Sequence, residues 1–272
     1  MMIDVEGPLQ KIQERGWCVL PDVIPASKVS GVRQCVEHTV HIRTQAEGIP
    51  DSVSTLAVSG LVNYDQSFVE FLADEKLLSI NERLLRSHFR VSFTTAIVTK
   101  RGNRRGGWHA DWPFDQMCAG RLPAPYPDFI GQITAIWMLT DFEAENGSTI
   151  VLNGSHRTVS NPTSDLGIDA FAPIEGEVAV TGAAGSVLVF DSRLWHAAGK
   201  NLSDQNRISF VVRYAPKWLN LDVLKDNSDE RKRLVDEVGG QDASIPLVPE
   251  NIFEKLPDKV KPLFRHWVDR IS

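Results

Sequence analysis

Between residues 89 and 216 the chain carries five runs rich in β-branched and aromatic residues: "FRVSFTTAIVTK", "GQITAIWMLTDF", "STIVLNGSH", "GEVAVTGAAGSVLVFD" and "NRISFVVRYAP". Clusters of Gly, Pro, Asn and Asp separate them, and no helical pattern alternates regularly with them. Parallel sheets need helical crossovers between strands, so this layout predicts an antiparallel sandwich or barrel and excludes a doubly wound sheet.

The flanks read differently. "PLQKIQER" over 8 to 15, Gly16 and "WCVLPDVI" predict a short helix, a glycine stop and a short strand. From Ala26 to about Ala46, Val29, Val32, Cys35, Val36 and Val40 fall at helical spacing, and residues 67 to 87 predict further helix. The first 88 residues are thus expected to be mainly helical. After Pro216 charge returns, with helices expected near 228 to 238 and 256 to 270. The expected layout is one domain over 1–272: a mainly helical part (1–88), a β core (89–216) and C-terminal helices (217–272).

A net charge of −6, with no basic run longer than Arg231 to Arg233, gives no electrostatic footprint for nucleic acid. A small-molecule partner is expected instead. The apolar stretch "VAVTGAAGSVLVF" is too short and too glycine-rich to span a bilayer. Cys18, Cys35 and Cys118 are too few for a disulfide framework or a thiolate zinc site. The acidic opening does not resemble a signal peptide, so a cytoplasmic location is expected. Oligomeric state is not readable from the sequence.

Chemistry concentrates around "WHAD". His109 and Asp111 sit two apart, so in an extended segment they point to one side and can grip a cation. The triplet alone is common, and an imidazole hydrogen-bonded to a loop carboxylate is the simpler reading of it. His196 in "FDSRLWHAAGKN", read as closing an apolar strand, is the best third group. Two histidines and one carboxylate form the facial triad that suits non-haem Fe(II) and leaves positions open.

Eleven residues on, Arg207 opens the next strand, expected to pair with the strand carrying His196, and Ser209 shares its face. A buried arginine there matches a carboxylate with two charge-assisted hydrogen bonds, which suggests a dicarboxylic acid; the plainer reading pairs it with an acidic residue of the chain. The other histidines lack such company. His38 and His41 share a helix face without a ligand-like neighbour, and His88 and His266 lie among basic residues.

"WHAD", "DFEAENGSTIVLNGSHR", "WHAAGKN" and "NRISFVVRYAP", in that order, resemble the phytanoyl-CoA dioxygenase family of Fe(II)- and 2-oxoglutarate-dependent oxygenases. The opening "ERGWCVLPDVIPASKVSGVRQCV" resembles that family's N-terminus, so the resemblance runs from about residue 8 to about residue 220. It implies a double-stranded β-helix, or jelly roll, with His109, Asp111 and His196 as iron ligands. It further implies Arg207 on the distal carboxylate of 2-oxoglutarate, Ser209 as a second donor, and Thr149 as a cosubstrate contact. "NGSH" resembles the family's "PGSH" turn with Asn153 in place of Pro, leaving His156 as a turn residue. Halogenating relatives carry a small residue in place of the carboxylate ligand; Asp111 argues against that reaction.

The implied reaction couples oxidative decarboxylation of 2-oxoglutarate by O2, giving succinate and CO2, to oxidation of a substrate C–H bond, most simply hydroxylation. The stretch 112 to 132, long and rich in proline and aromatics, reads as a lid, with Trp112, Phe114, Tyr126 and Phe129 either lining a pocket or packing on the core. Trp137 is expected to point into the same cavity. Arg101, Arg104 and Arg105 can receive an anionic substrate such as an acyl-CoA, but a solvated arginine cluster is the simpler reading. Two other readings remain open: a cupin-like hydrolase or isomerase that uses zinc, and a non-catalytic binding protein with the same fold.

Overall fold

A computed structural model describes residues 4–86, 88–112, 124–163, 165–239 and 244–269. Helix α1 (Glu6–Arg15) ends at Gly16, whose φ of 96° is left-handed. A Cβ there would lie 2.5 Å from Leu194 Cδ1 and 2.7 Å from His156 Nδ1, so this stop requires glycine on two counts. Strand β1 (Trp17–Leu20) follows, then α2 over the expected span, Ala26–Ala46. Its buried stripe is Val32, Val36, Val40 and Thr44, each four residues from the last. Cys35, expected on that stripe, is exposed because it falls a quarter-turn away.

Two departures in the first third follow from local chemistry. The chain forms a strand, β2 (Thr55–Ser59), in a part expected to be mainly helical and at a stretch where no element was expected. The helix expected over 67 to 87 is divided by Asp74, whose carboxylate accepts from the Leu77 N–H at 2.9 Å. That N-cap starts α3 (Glu75–Leu85) afresh and leaves a 3-10 turn, Val69–Ala73, before it.

The core is a six-stranded sheet in the order β1-β7-β4-β9-β3-β2, antiparallel throughout. It comprises, besides β1 and β2, β3 (Phe89–Thr99), β4 (Ile133–Met138), β7 (Val187–Asp191) and β9 (Arg207–Pro216). A smaller antiparallel sheet, β6-β5-β8, joins Glu177–Ala179, Thr149–Leu152 and His196–Ala198. His109 extends its edge by exchanging two backbone hydrogen bonds with His196, at 3.0 and 2.9 Å. Ile136, Met138, Leu188, Phe190 and Val211 of the large sheet pack on Val151 of the small one. The two facing sheets form the expected jelly roll.

The opposite face of the large sheet carries the main core. Val187, Val189, Phe210, Val212 and Tyr214 pack there against Leu9, Ile12, Val36, Val40, Leu77 and Ile80 of the three helices. Each such side chain contributes about 1.5–3 kcal/mol by leaving water. Trp137 belongs to this face, stacked on Phe210 at 4.8 Å between ring centroids, and does not enter the inter-sheet cavity as expected. Side chains alternate along a strand, and Thr134, Ile136 and Met138 take the inward positions.

The C-terminal part is less helical than expected. It holds short helices α4 (Asp229–Leu234), α5 (Glu250–Phe253) and α6 (Lys261–Phe264) and a parallel pair of two-residue strands, β10 (Val248–Pro249) and β11 (Val268–Asp269). Among the described residues no helix is long and apolar enough to cross a membrane.

Candidate metal and cosubstrate site

His196 does not close an apolar strand. It opens β8, which belongs to the small sheet and pairs with β5, so it lies across the sandwich from β9 and not beside it. His109 is its backbone partner, and their rings stand 4.1 Å apart. Asp111 and Trp112 both donate their N–H groups to the Ser192 carbonyl, at 2.8 and 3.0 Å. The irregular segment carrying His109 and Asp111 is thereby pinned to the turn before His196.

Ligand atoms of His109, Asp111 and His196 lie within 4.8 Å of one another, the spread of three groups that can hold one ion. Asp111 Oδ1 is 3.8 Å from His109 Nε2, and Oδ2 is 3.7 Å from His196 Nε2. Both gaps are too long for hydrogen bonds, so a simple imidazole–carboxylate pair does not account for the arrangement. Each Nδ1 faces a backbone carbonyl, Gly107 at 2.9 Å and Leu194 at 3.0 Å. A carbonyl only accepts, so each Nδ1 carries the proton and each Nε2 keeps a free lone pair. Burial pushes the His196 pKa down to about 4, which leaves that imidazole neutral at physiological pH.

Burial alone would raise the Asp111 carboxyl. The Arg213 guanidinium, then His196 and His109, then the Thr134 hydroxyl outweigh it and hold the group below the usual carboxylate range. Arg213 Nη2 donates to Oδ1 at 2.6 Å and Thr134 Oγ1 to Oδ2 at 2.8 Å, with Ser192 Oγ 2.8 Å beyond Thr134. The sequence reading did not single out these three residues. Arg213 had a signal, since it lies six residues after Arg207 on one strand and so shares its face.

Arg207 is buried, with Nη2 donating to Thr99 Oγ1 at 2.7 Å and Nη1 to Ser209 Oγ at 3.3 Å. Its Nε has no partner, and among the described residues no carboxylate lies within ion-pair distance. Burial lowers its pKa to about 10, where it is still charged at neutral pH. A buried cation without a counter-ion is costly, and a bound carboxylate removes that cost. Thr149 is also buried. It shares an inward face with Val151, which stands opposite His196 in register.

Arg105 is neither solvated nor free. It forms a two-pronged pair with Glu177, both contacts at 2.8 Å, over the Trp108 ring. Arg101 pairs with Asp204 at the exposed surface, and Arg104 is exposed. Of the expected lid, Phe114 and the rest of 113–123 lie outside the described residues. Trp112 is buried edge-on to Phe129, at 5.9 Å, and Phe129 leans on exposed Trp218 at 5.8 Å. Tyr126 is buried, its N–H bonded to the Val159 carbonyl. Asn153 has a structural use: its Oδ1 accepts from Trp17 Nε1 at 2.7 Å, tying the turn that bears His156 to β1.

Comparison with known proteins places the chain in a family. The family model described as phytanoyl-CoA dioxygenase (PhyH) matches residues 12–209. "Dioxygenase af480" of Aspergillus fumigatus is 24% identical over 79% of this chain and 67% of its own. The solved structure of EctD from S. alaskensis, in its apoform, superposes with a TM-score of 0.63 at 19% identity, covering 79% of this chain and 77% of that one. The epimerase SnoN in complex with Fe3+, alpha ketoglutarate and nogalamycin RO gives 0.58 at 20% identity, covering 78% and 83%. The chain belongs to the phytanoyl-CoA dioxygenase family and is a dioxygenase-like enzyme of the iron- and 2-oxoglutarate-dependent kind.

Proposed function

We propose that the protein oxidises a C–H bond of a small molecule of specialised metabolism, most simply by hydroxylation, with Fe(II), 2-oxoglutarate and O2. His109, Asp111 and His196 hold the iron on one face. Arg207, helped by Ser209, takes the distal carboxylate of 2-oxoglutarate, and Thr149 contacts the cosubstrate from the small sheet. The whole chain acts as one domain. Iron with 2-oxoglutarate and O2 supplies, when bound, an oxidant able to attack an unactivated C–H bond, with succinate and CO2 as coproducts.

The observation that carries this reading is Arg207: a buried guanidinium without a carboxylate partner among the described residues, on the inner face that looks toward a two-histidine, one-carboxylate cluster. Activation of water by zinc does not by itself call for that cation, and neither does a structural metal. The protein's own residues do the positioning. The backbone carbonyls of Gly107 and Leu194 fix the imidazole tautomers, and Arg207 fixes one end of the cosubstrate. Phe190, 4.8 Å from the His196 ring, keeps water from that side.

The test is succinate formation from 2-oxoglutarate with and without added Fe(II), in the wild type and in Asp111→Ala. Iron-dependent turnover that Asp111→Ala abolishes supports the reading, whereas turnover unchanged in that variant defeats it. Hydroxylation is separated from epimerisation, the reaction named for SnoN, by product mass: a hydroxylated product is one oxygen atom heavier and an epimer is not.

A further inference from the structure

We propose that Arg213 is a positioning residue for the carboxylate of the metal centre, and that its charge sets how strongly the centre takes up an anionic chelator. This rests on the reading of His109, Asp111 and His196 as metal ligands.

Asp111 lies two residues past the His109–His196 bridge and outside every strand, so no strand ladder orients its side chain. Orientation comes instead from two strands of the large sheet. Arg213 on β9 holds Oδ1 at 2.6 Å, and Thr134 on β4 holds Oδ2 at 2.8 Å. These two residues face each other in register across the β4–β9 pair, so one rung of the sheet clasps both carboxylate oxygens. Arg213 itself lies over the Phe93 ring, its guanidinium carbon 4.6 Å from the ring centre. Asp111 is its one carboxylate partner among the described residues.

A carboxylate offers about four lone-pair sites, and two are taken here by the clasp. Each oxygen keeps one lone pair for a metal, and the rotation of the group is blocked. The charge effect is separate. A divalent ion beside two neutral imidazoles and one carboxylate would present a single net positive charge. The Arg213 cation offsets the carboxylate, so the centre presents two, in surroundings where Asp111 and His196 are shielded from water. A dianionic chelator such as 2-oxoglutarate is drawn in more strongly. The metal is also left poorer in electrons.

The experiment follows 2-oxoglutarate binding to the Fe(II) protein without oxygen, reading the visible metal-to-ligand charge-transfer band in wild type, Arg213→Gln, Arg213→Lys and Thr134→Val. Circular dichroism confirms that each is folded. In Arg213→Gln the expected result is uptake weaker on the order of 10- to 100-fold, as for partners of metal ligands generally, and a band moved to lower energy. Arg213→Lys keeps the charge, so its band returns toward the wild-type position even if the variant with Gln fails to fold. Thr134→Val removes a neutral clasp and leaves the band in place. Wild-type affinity and band position in Arg213→Gln would overturn the proposal, as would equal shifts in Gln, Lys and Val variants. A wild type that gives no band at all would instead overturn the cosubstrate reading on which the proposal stands.

Discussion

Strand β9 has two faces with opposite duties. Toward the helices it sends Ile208, Phe210, Val212 and Tyr214, which join the main apolar core. Toward the small sheet it sends Arg207, Ser209, Val211 and Arg213, three of them polar and all but Arg213 fully buried. The strand shows how a chain keeps a costly polar site: each buried polar group on one face is backed, one residue away, by an apolar anchor on the other. Stability and chemistry thus sit on separate faces of the same ten residues, and substitutions should separate them too.

The sharpest way to break that division is Phe210→Ala. The ring packs 4.6 Å from Phe68 and is stacked on Trp137 at 4.8 Å, with no access to solvent. Loss of about 3–5 kcal/mol of stability is expected, read as a lower denaturation midpoint. The surviving folded fraction should bind 2-oxoglutarate normally. If affinity falls in proportion to stability, the two faces are not independent.

The polar face supplies the converse. Arg207→Met removes a buried cation that has no carboxylate partner among the described residues, so the melting temperature should hold or rise. Affinity for 2-oxoglutarate should drop on the order of 100-fold, because a charge-assisted fork to the distal carboxylate is lost. A calorimetric titration checks this. Unchanged affinity would remove Arg207 from the site and strengthen a cosubstrate-free reading.

How much of this was legible depended on whether the determining contact was local. Helix α2 could be bounded from its own residues, and the stop at Gly16 from its type. The clustering of His109, Asp111 and His196 and the burial of Arg207 agree with what His-x-Asp and the run from His196 to Arg207 suggest, although the strand pairing expected within that run does not form. The sheet that holds β8 was not: "HAA" is three residues long, and its partner Val151 is set by the turn from Asp191 to Leu194. Parity along β4 was equally hidden. Which of Ile136 and Trp137 turns inward is fixed by Thr134 meeting Asp111, a contact across 23 residues. Arg213 shares a face with Arg207 by spacing alone, yet its role needed Asp111, 102 residues away.

Two imidazoles, His196 on the site side of the sheet and half-buried His266 on the core side, make acid a milder probe of both. Burial lowers the pKa of His196 to about 4 and of His266, beside Trp267 of the main core, to about 3, both from 6.5. Between about pH 6.5 and 4 the unfolded chain binds protons that the folded chain refuses. Stability of the metal-free protein is therefore complete above that window and falls as pH drops through it, by at most about 1.4 kcal/mol per pH unit for each histidine. Urea midpoints from pH 7 to 4.5 measure the slope, and His266→Asn should remove part of it. A flat profile in the wild type would show that neither imidazole is held neutral by its surroundings.

The smallest expected effect tests how finely the polar face is built. Ser209 Oγ accepts from Arg207 at 3.3 Å, longer than the 2.7 Å bond from the same guanidinium to Thr99. Hydrogen bonds weaken with length, so Thr99 carries most of the orientation, and the proposed part of Ser209 is that of a secondary donor to the cosubstrate. Ser209→Ala should reduce 2-oxoglutarate affinity by about 0.5–1.5 kcal/mol, up to roughly tenfold, with little change in melting temperature. Thr99→Val should cost more, since it leaves a buried charged donor unpaired. If the two variants are equal, the guanidinium is held by the cosubstrate and not by the strand, and the polar face of β9 is organised by its ligand.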